Sequence, residues 1–303
     1  MRFAGDRRAS RAARWQGEAD QPVSGSLDRR QDHIHHGLVA ALPASHKRPV
    51  TNPLFDHRLR ALRRDRAARI GPELLLYERA FVDCLERLAD IRTDIAVVLL
   101  VGCPDPSWPQ RLRAGRVAIV DPGPLMADRA GGQCADLESL PFDGDTFDLV
   151  LCIGTLETAN DLPLAAAALH LVLKPGGLLL GAIAGGQSLP RLRNAMLAAD
   201  AVTGQVSPHL HPRIEGPGLA QLLTGAGFAM PVIDVDRVEL SYGSLDGLVR
   251  DLRGMGTTNI LQSRSRRPLS RFALEAARAA FLNGADRANE LIEIMHFAGW
   301  KAN

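Results

Sequence analysis

The sequence predicts an α/β fold built on a parallel sheet. Its clearest signal is a pair of short apolar runs, 146–153 and 178–184, which are typical of strands buried on both faces. The segment between them has apolar residues at helical spacing and can be capped at its start by Asn160 or Asp161. Lys-Pro-Gly-Gly at 174–177 is expected to end this helix, because glycine tolerates positive φ and a cation suits the last carbonyls. Strand, helix and strand with short connections make a right-handed βαβ unit.

Further strands precede this unit. The continuous apolar run 95–101 predicts the first strand, and 116–120 predicts a second strand that ends in Asp121. A third, short strand is expected to end near Ala135. Ligands of open parallel sheets bind outside the carboxyl ends of the strands, so we expect the functional groups to follow these strand ends.

Length and composition exclude several classes of protein. The chain has 303 residues, 46% hydrophobic and 23% charged, which suffices for one sizeable core with accessory helices. Its net charge of +2 gives no general support for nucleic-acid binding, and no apolar run is long enough to span a bilayer. The cysteines lie far apart, which predicts reduced thiols in a cytoplasmic protein rather than a disulfide frame or metal site. They are Cys84, Cys103, Cys134 and Cys152.

Residues 1–50 differ from the rest of the chain. They lack periodic apolar residues and carry nine Lys or Arg against five acids. We expect a disordered basic extension there, and the acids argue against an organellar presequence. A start site assigned too far upstream explains the composition equally well. His33, His35 and His36 are interpreted as part of a solvated tail, because no Cys or structured carboxylate accompanies them.

An arginine-rich stretch, H-R-L-R-A-L-R-R-D-R-A-A-R at 57–69, opens the region after the extension. It is either a solvated basic helix face, or a partner-binding surface or lid over a pocket. Charge runs usually face water, so we favour the solvated interpretation for the individual arginines.

Three motifs resemble the S-adenosylmethionine-dependent methyltransferase fold. They are A-D-L-E-S-L-P-F after the third strand, F-D-L-V-L-C-I-G-T-L-E at the fourth, and L-K-P-G-G-L-L-L-G before the fifth. The resemblance implies a class I, Rossmann-like, seven-stranded, mostly parallel sheet with flanking helices and an antiparallel last strand. This methyltransferase-like domain would occupy 51–303 and include C-terminal helical insertions, with the last strand at about 290–297 beside the fifth.

The same resemblance implies S-adenosylmethionine as cofactor. Gly102 would let the backbone approach it, and Asp121 would accept hydrogen bonds from the ribose hydroxyls. Asp136 would hold the adenine amino group, Leu137 would flank the ring, and Gly154 would lie at the mouth of the fourth strand.

The turn after the first strand departs from the family pattern. It reads V-G-C-P-D-P-S-W, so only Gly102 remains of the glycine-rich turn. Val101 stands where an acid is expected, and Pro104 and Pro106 replace small residues. Either the cofactor is held differently, with Asp105 replacing a lost contact, or the pocket no longer binds it.

Glu157 and His209 are the candidate catalytic residues. Glu157 could act as a base, pair with a cationic substrate, or be a surface acid at a helix entry. His209 and His211 lie in a loop between prolines. We favour a role in packing or substrate gating over metal binding, and acid–base catalysis ranks between these two. Two histidines without a third ligand do not make a metal site, so no metal is predicted.

Motifs along most of the chain resemble the mitochondrial complex I assembly factor 5 family. They include P-L-F-D-H-R-L-R-A-L-R-R-D-R-A-A, A-G-G-Q-S-L-P-R-L-R, S-P-H-L-H-P, D-L-R-G-M-G-T-T-N and the terminal G-W-K, spanning roughly 52–301. This resemblance implies a protein substrate, an arginine of an iron–sulfur subunit of respiratory complex I, modified by hydroxylation rather than methylation in the eukaryotic member. It also implies peripheral membrane association through that complex. The alternatives are a non-catalytic assembly factor with a degenerate pocket, and a methyltransferase acting on a carrier-bound small acid.

Overall fold

A computed structural model of the protein describes residues 52–91 and 95–303, so the predicted extension at 1–50 lies outside the described residues. Their strands form one seven-stranded sheet in the order β3-β2-β1-β4-β5-β7-β6. The strands are β1 Val97–Val101, β2 Arg116–Asp121, β3 Gln133–Cys134, β4 Phe147–Ile153, β5 Leu173–Ala184, β6 Phe228–Tyr242 and β7 Ala288–Lys301. The first five are parallel, and β7 runs antiparallel to both β5 and β6. The predicted fold class is confirmed.

Helices cover both faces of the sheet. They are α1 His57–Ile70, α2 Leu75–Ile91, α3 Trp108–Arg111, α4 Pro124–Arg129, α5 Leu162–Val172, α6 Pro190–Thr203, α7 Gly216–Gly225, α8 Leu245–Gly254 and α9 Arg271–Leu282. Alternate residues of the central strands point to opposite faces, as the two-residue period of a strand requires. Leu100 and Leu151 thus pack with α2, α6, α8 and α9, whereas Leu99 and Val150 pack with α5 and α7. None of the helices in the described part of the chain combines the length and apolar character needed to cross a bilayer.

The two predicted caps of α5 have different roles. The carboxylate of Asp161 caps α5 by accepting a hydrogen bond from the Leu164 N–H at 2.9 Å. The side chain of Asn160 instead bonds both backbone groups of Phe55, at 2.7 and 3.1 Å, and so holds the chain just before α1. After α5, Gly176 has the predicted positive φ, 74°, within a shift of the β4–β5 register.

Gly181, in the middle of β5, has no space for a side chain. A Cβ atom there would lie 2.3 Å from the carbonyl oxygen of Cys152 and 2.3 Å from Cζ of Phe297. These atoms belong to the two neighbouring strands and cannot both move without disturbing the sheet.

We therefore expect Gly181→Ala to lower the free energy of unfolding by roughly 1–3 kcal/mol, the usual result of overpacking a core. Urea denaturation measures the change. Gly225→Ala at the end of α7 is the matched control, because nothing lies within 4 Å of its Cβ position. Equal stability of the two variants would contradict the packing argument.

Candidate functional site

Helix α1 places two arginines at the carboxyl ends of the parallel strands. Arg60 and Arg64 are one helical turn apart and therefore lie on the same face of α1. They are only 5% and 4% exposed. The solvated interpretation of the arginine-rich stretch is wrong for these two residues, because each pairs with a carboxylate at a strand end.

Arg64 binds Asp121, the last residue of β2. One oxygen of this fully buried carboxylate accepts from Arg64 Nε at 3.1 Å and from the Gly123 N–H at 2.9 Å. The other accepts from Arg64 Nη2 at 2.5 Å. Burial by itself lowers the pKa of Arg64, but the charge and hydrogen bonds of Asp121 raise that pKa above its ordinary value. The pair is therefore bidentate, a geometry that suits guanidinium and carboxylate.

Arg60 binds Asp136, which follows β3. Its Nη2 lies 2.5 Å from Asp136 Oδ2, and Nδ1 of His57 lies 3.0 Å from the same oxygen. Burial tends to raise the pKa of Asp136, but the hydrogen bond from His57 and the charge of Arg60 lower it to about 2. Leu137, the predicted ring contact, is buried in the core beside this pair. Both carboxylates predicted to bind the cofactor are thus occupied by α1.

His57, Asp136 and Glu138 resemble a metal-ligand set, since their ligand atoms lie within 4.8 Å of one another. Each group is already engaged, however. Nε2 of His57 accepts from the Asn160 side chain, Glu138 accepts from the N–H groups of Asn160 and Asp161, and Arg60 brings a positive charge to Asp136. The cluster gives no support for a metal centre.

The predicted glycines stand at the strand ends but pack against protein atoms. A Cβ at Gly102, where φ is 81°, would lie 2.5 Å from the Ile153 carbonyl oxygen and 2.7 Å from Thr155 Cγ2. One at Gly154 would lie 2.6 Å from Cε1 of Tyr77. Glycine is therefore required at both positions by the fold itself. Asp105, considered as a replacement contact, uses its carboxylate to accept from the Ser107 N–H at 2.8 Å.

A cavity of about 120 Å³ lies beside the ion pairs, at the carboxyl ends of β4 and β5. Helix α2, the 211–213 loop and the end of α8 complete its walls, and Arg60 and Arg64 line the side that faces the carboxylates. Pockets for whole small molecules usually exceed about 300 Å³, so this cavity suits a group of side-chain size.

Glu157 lines this cavity. It lies in a 3₁₀ turn, Leu156–Thr158, directly after β4. Its Oε2 is buried and has no hydrogen-bond partner in the described residues, so the surface-acid interpretation is wrong. Burial raises the pKa of Glu157, and this outweighs backbone hydrogen bonds and the charge of Arg213, which lower it. The cavity therefore offers an acceptor oxygen to any donor that enters.

The two loop histidines have different positions. His209 is bound to Asp200, with Nε2 at 2.8 Å from Oδ1, and the structure does not bring it to the cavity wall. His211 does line the cavity, and its Nε2 accepts from the Ile260 N–H at 3.0 Å. Burial and the charge of Arg213 lower the pKa of His211 to about 4. Sequence reasoning had ranked His209 as the candidate, whereas only His211 is placed to gate the cavity.

Arg213 and Tyr77 are site residues that the sequence analysis missed. Arg213 lines the cavity and donates to the Gly185 carbonyl at 3.3 Å, and Tyr77 donates to the Met255 carbonyl at 3.0 Å. The position of Arg213 directly after the singled-out S-P-H-L-H-P loop was an available signal. Tyr77 gave none, because an aromatic residue in a helix usually belongs to the core.

We expect acid to destabilise the protein partly through His211. Its folded pKa is lowered, so the unfolded chain takes up the proton first, and stability falls as pH drops from about 6.5 to about 4. His211→Gln keeps an acceptor for Ile260 and does not titrate. Urea unfolding should therefore show a smaller loss between pH 7 and pH 4.5 for the variant, with parallel behaviour above pH 7. Identical losses would show that His211 does not titrate as described.

Glu157→Gln should stabilise the protein in a pH-dependent way. The folded pKa of Glu157 is raised, so wild-type stability is lost as pH rises through that value and the buried oxygen becomes charged. We expect the variant to gain about 1 kcal/mol in free energy of unfolding at pH 8 and less at pH 5. Glu86→Gln, on the exposed side of α2, is the control. A gain of the same size at both pH values would contradict the burial of a free carboxylate.

The strand order, the acids after β2 and β3, and the cavity at the ends of β4 and β5 define a class I methyltransferase fold. A family model described as "Methyltransferase domain" matches residues 99–181. The rat protein "Arginine-hydroxylase NDUFAF5, mitochondrial" (Rattus norvegicus) is 31% identical over 285 residues, which cover 88% of this chain and 82% of that protein. The chain belongs to the NDUFAF5 family of methyltransferase-fold proteins.

Other proteins share parts of the chain. A malonyl-[acyl-carrier protein] O-methyltransferase of Laribacter hongkongensis is 32% identical over 198 residues, covering 64% of this chain and 65% of that protein. Among solved structures, the YcgJ protein of Bacillus subtilis superposes with a TM-score of 0.49 at 15% identity, covering 69% of this chain and 93% of that one.

Proposed function

We propose that the protein is an S-adenosylmethionine-dependent, methyltransferase-like enzyme that modifies a side chain of a protein acceptor in respiratory complex I assembly. The observation that carries this proposal is the cavity at the ends of β4 and β5. It contains the buried, unpaired Oε2 of Glu157 and is lined by Arg60 and Arg64, the ion-pair partners of Asp136 and Asp121. Open α/β sheets bind their ligands at such strand ends.

The residues of the cofactor side fit the adenosine half of S-adenosylmethionine. Asp121 at the end of β2 and Asp136 just after the neighbouring strand β3 carry acceptor oxygens suited to hydroxyl and amino donors. Leu137 is apolar and follows Asp136 directly, although it is buried in the core, and Gly102 and Gly154 pack against protein atoms. The cofactor, when bound, supplies an electrophilic methyl group on sulfur. Arg60 and Arg64 already donate hydrogen bonds to these carboxylates. Binding of the cofactor to them therefore requires that the two arginine side chains move away.

The acceptor side fits a cationic or hydrogen-donating side chain. Glu157 can pair with a guanidinium or hold a proton that the acceptor releases, and the cavity volume of about 120 Å³ admits a side chain. The rat relative's name, arginine hydroxylase, supports an arginine acceptor and leaves hydroxylation as well as methylation within the proposal. In this account the acceptor is an iron–sulfur subunit of complex I, met in the cytoplasm, and the protein reaches the membrane only through that complex.

A second candidate is a non-catalytic assembly factor. It is favoured by the occupation of both carboxylates by α1 and by the departure of the turn after β1 from the glycine-rich pattern. A carrier-bound small acid has less support, because the malonyl-[acyl-carrier protein] O-methyltransferase aligns with 64% of this chain and the rat arginine hydroxylase with 88%. The two remaining candidates differ in whether S-adenosylmethionine binds.

Calorimetric titration with S-adenosylmethionine tests the enzyme proposal. We expect micromolar binding by the wild-type protein, and a loss of at least about tenfold in Asp121→Asn and in Asp136→Asn, since each removes a charged acceptor. Asp128→Asn, on the exposed side of α4, is the matched control and should bind as the wild type does. No binding at millimolar cofactor by folded protein would refute the enzyme and leave the assembly factor as the leading account.

A further inference from the structure

Positive charge is concentrated in two segments of the chain. Residues 57–70 contain six arginines and 250–267 contain five, against only Asp65 and Asp251, although the whole chain has a net charge of +2. Arg60 and Arg64 form ion pairs with the strand-end carboxylates. The remaining arginines of these two segments are called the basic surface below.

The two segments form one continuous surface. Arg66 Nη2 donates to Thr258 Oγ1 at 3.0 Å, and the backbone N–H of Asp56 donates to the Ile260 carbonyl at 2.8 Å. Phe55 and Leu261 form a β-bridge directly beside these contacts. The arginines of both segments are therefore held on the same rigid part of the fold.

The charge of this surface is poorly neutralised from within the protein. Arg264 lies 3.4 Å from Asp56, but Arg63 and Arg253 form no ion pair among the described residues. The Nε atoms of Arg63 and Arg66 are buried without a hydrogen-bond partner there. Burial lowers the pKa of Arg63, and repulsion from the charges of Arg264 and Arg253 lowers it further. An anion on the surface would relieve this repulsion.

The basic surface adjoins the cavity. Met255, Gly256 and Thr257 line the cavity and lie in sequence between Arg253 and Thr258, the partner of Arg66. On α1, Arg63 is followed directly by Arg64, which also lines the cavity. A polypeptide that inserts a side chain into the cavity from this side must pass along the arginines.

We propose that the basic surface binds an acidic segment of the acceptor protein and so positions the modified side chain in the cavity. This inference rests on the proposed function. Guanidinium groups bind carboxylates through paired hydrogen bonds, and several partly exposed arginines spread over two segments suit an extended ligand with several carboxylates.

Two other anionic partners fit less well. Single-stranded nucleic acid is usually held by aromatic stacking as well as by charge, and neither 57–70 nor 250–267 contains Phe, Tyr or Trp. A helix that lies on a membrane surface needs a continuous apolar face, whereas the exposed large apolar residues of α1 are Leu62 and Ile70 alone.

Fluorescence anisotropy with a labelled glutamate-rich peptide tests the proposal. The double variant Arg63→Glu/Arg253→Glu is compared with Arg113→Glu/Arg116→Glu, an equal charge change at exposed positions outside the basic surface. We expect wild-type binding that weakens steeply with salt, a loss of at least about tenfold in the first variant, and little change in the second. Arg63→Gln/Arg253→Gln gives the same comparison without introducing acids, should the charge reversal prevent folding.

Two results would overturn the proposal. One is equal peptide binding by the two charge-reversed variants. The other is tighter, Arg63- and Arg253-dependent binding of a single-stranded RNA or of phosphatidylserine vesicles, which would assign the surface to nucleic acid or membrane. S-adenosylmethionine titration of the same proteins separates the two proposals. Peptide binding without cofactor binding would support the proposed role of the basic surface and refute the enzyme proposal. Cofactor binding without peptide binding would support the enzyme proposal and refute the role of the basic surface.

Discussion

The buried ion pair between Arg64 and Asp121 is the interaction on which the site depends. Its guanidinium also contacts the Tyr77 hydroxyl at 3.2 Å and the Met255 carbonyl at 3.4 Å, so α1, α2, β2 and the end of α8 meet at one group. Removing one partner of such a buried pair typically costs roughly 3–5 kcal/mol, because the other charge is left unpaired. The position of α1 over the strand ends is therefore fixed by the pair itself.

This arrangement sets a competition at the strand ends. The carboxylates that a methyltransferase fold offers to an adenosine already have donors, supplied by two arginines one turn apart on α1. A bound cofactor would have to replace those donors with its own hydroxyl and amino groups, and the displaced guanidinium groups would need new partners or water. The enzyme proposal and the assembly-factor proposal therefore differ in one respect, which is whether the arginines of α1 release the two carboxylates to a bound cofactor.

Local signals in the sequence predicted most of the fold. Apolar runs located the central strands, Asp161 was one of two proposed caps, and Gly176 was expected at positive φ. The burial of Arg60 and Arg64 could not be predicted in this way, because their partners lie 76 and 57 residues away along the chain. A run of arginines has the same local pattern whether it faces water or buried acids.

The cavity shows the same limit. Glu157 was identified from its place after the fourth strand, but the cavity that it shares with His211 and Arg213 exists only in the folded chain, because these residues are more than fifty positions away in sequence. His209 and His211 were equivalent in the sequence. The folded structure separates them, because His209 pairs with Asp200 whereas His211 lines the cavity and accepts from the Ile260 N–H.

The most direct test of this account is the affinity of Arg60→Gln for S-adenosylmethionine, with Arg63→Gln as a control matched in charge on the same helix. Asp136 keeps 26% of its side chain exposed, so freeing it should leave the fold intact. If Arg60 competes with the cofactor, Arg60→Gln should bind about tenfold more tightly than the wild type, as expected for the loss of one charged hydrogen bond, and Arg63→Gln should be unchanged. Equal binding by Arg60→Gln would contradict the competition, and weaker binding would contradict it and make Arg60 part of the cofactor site.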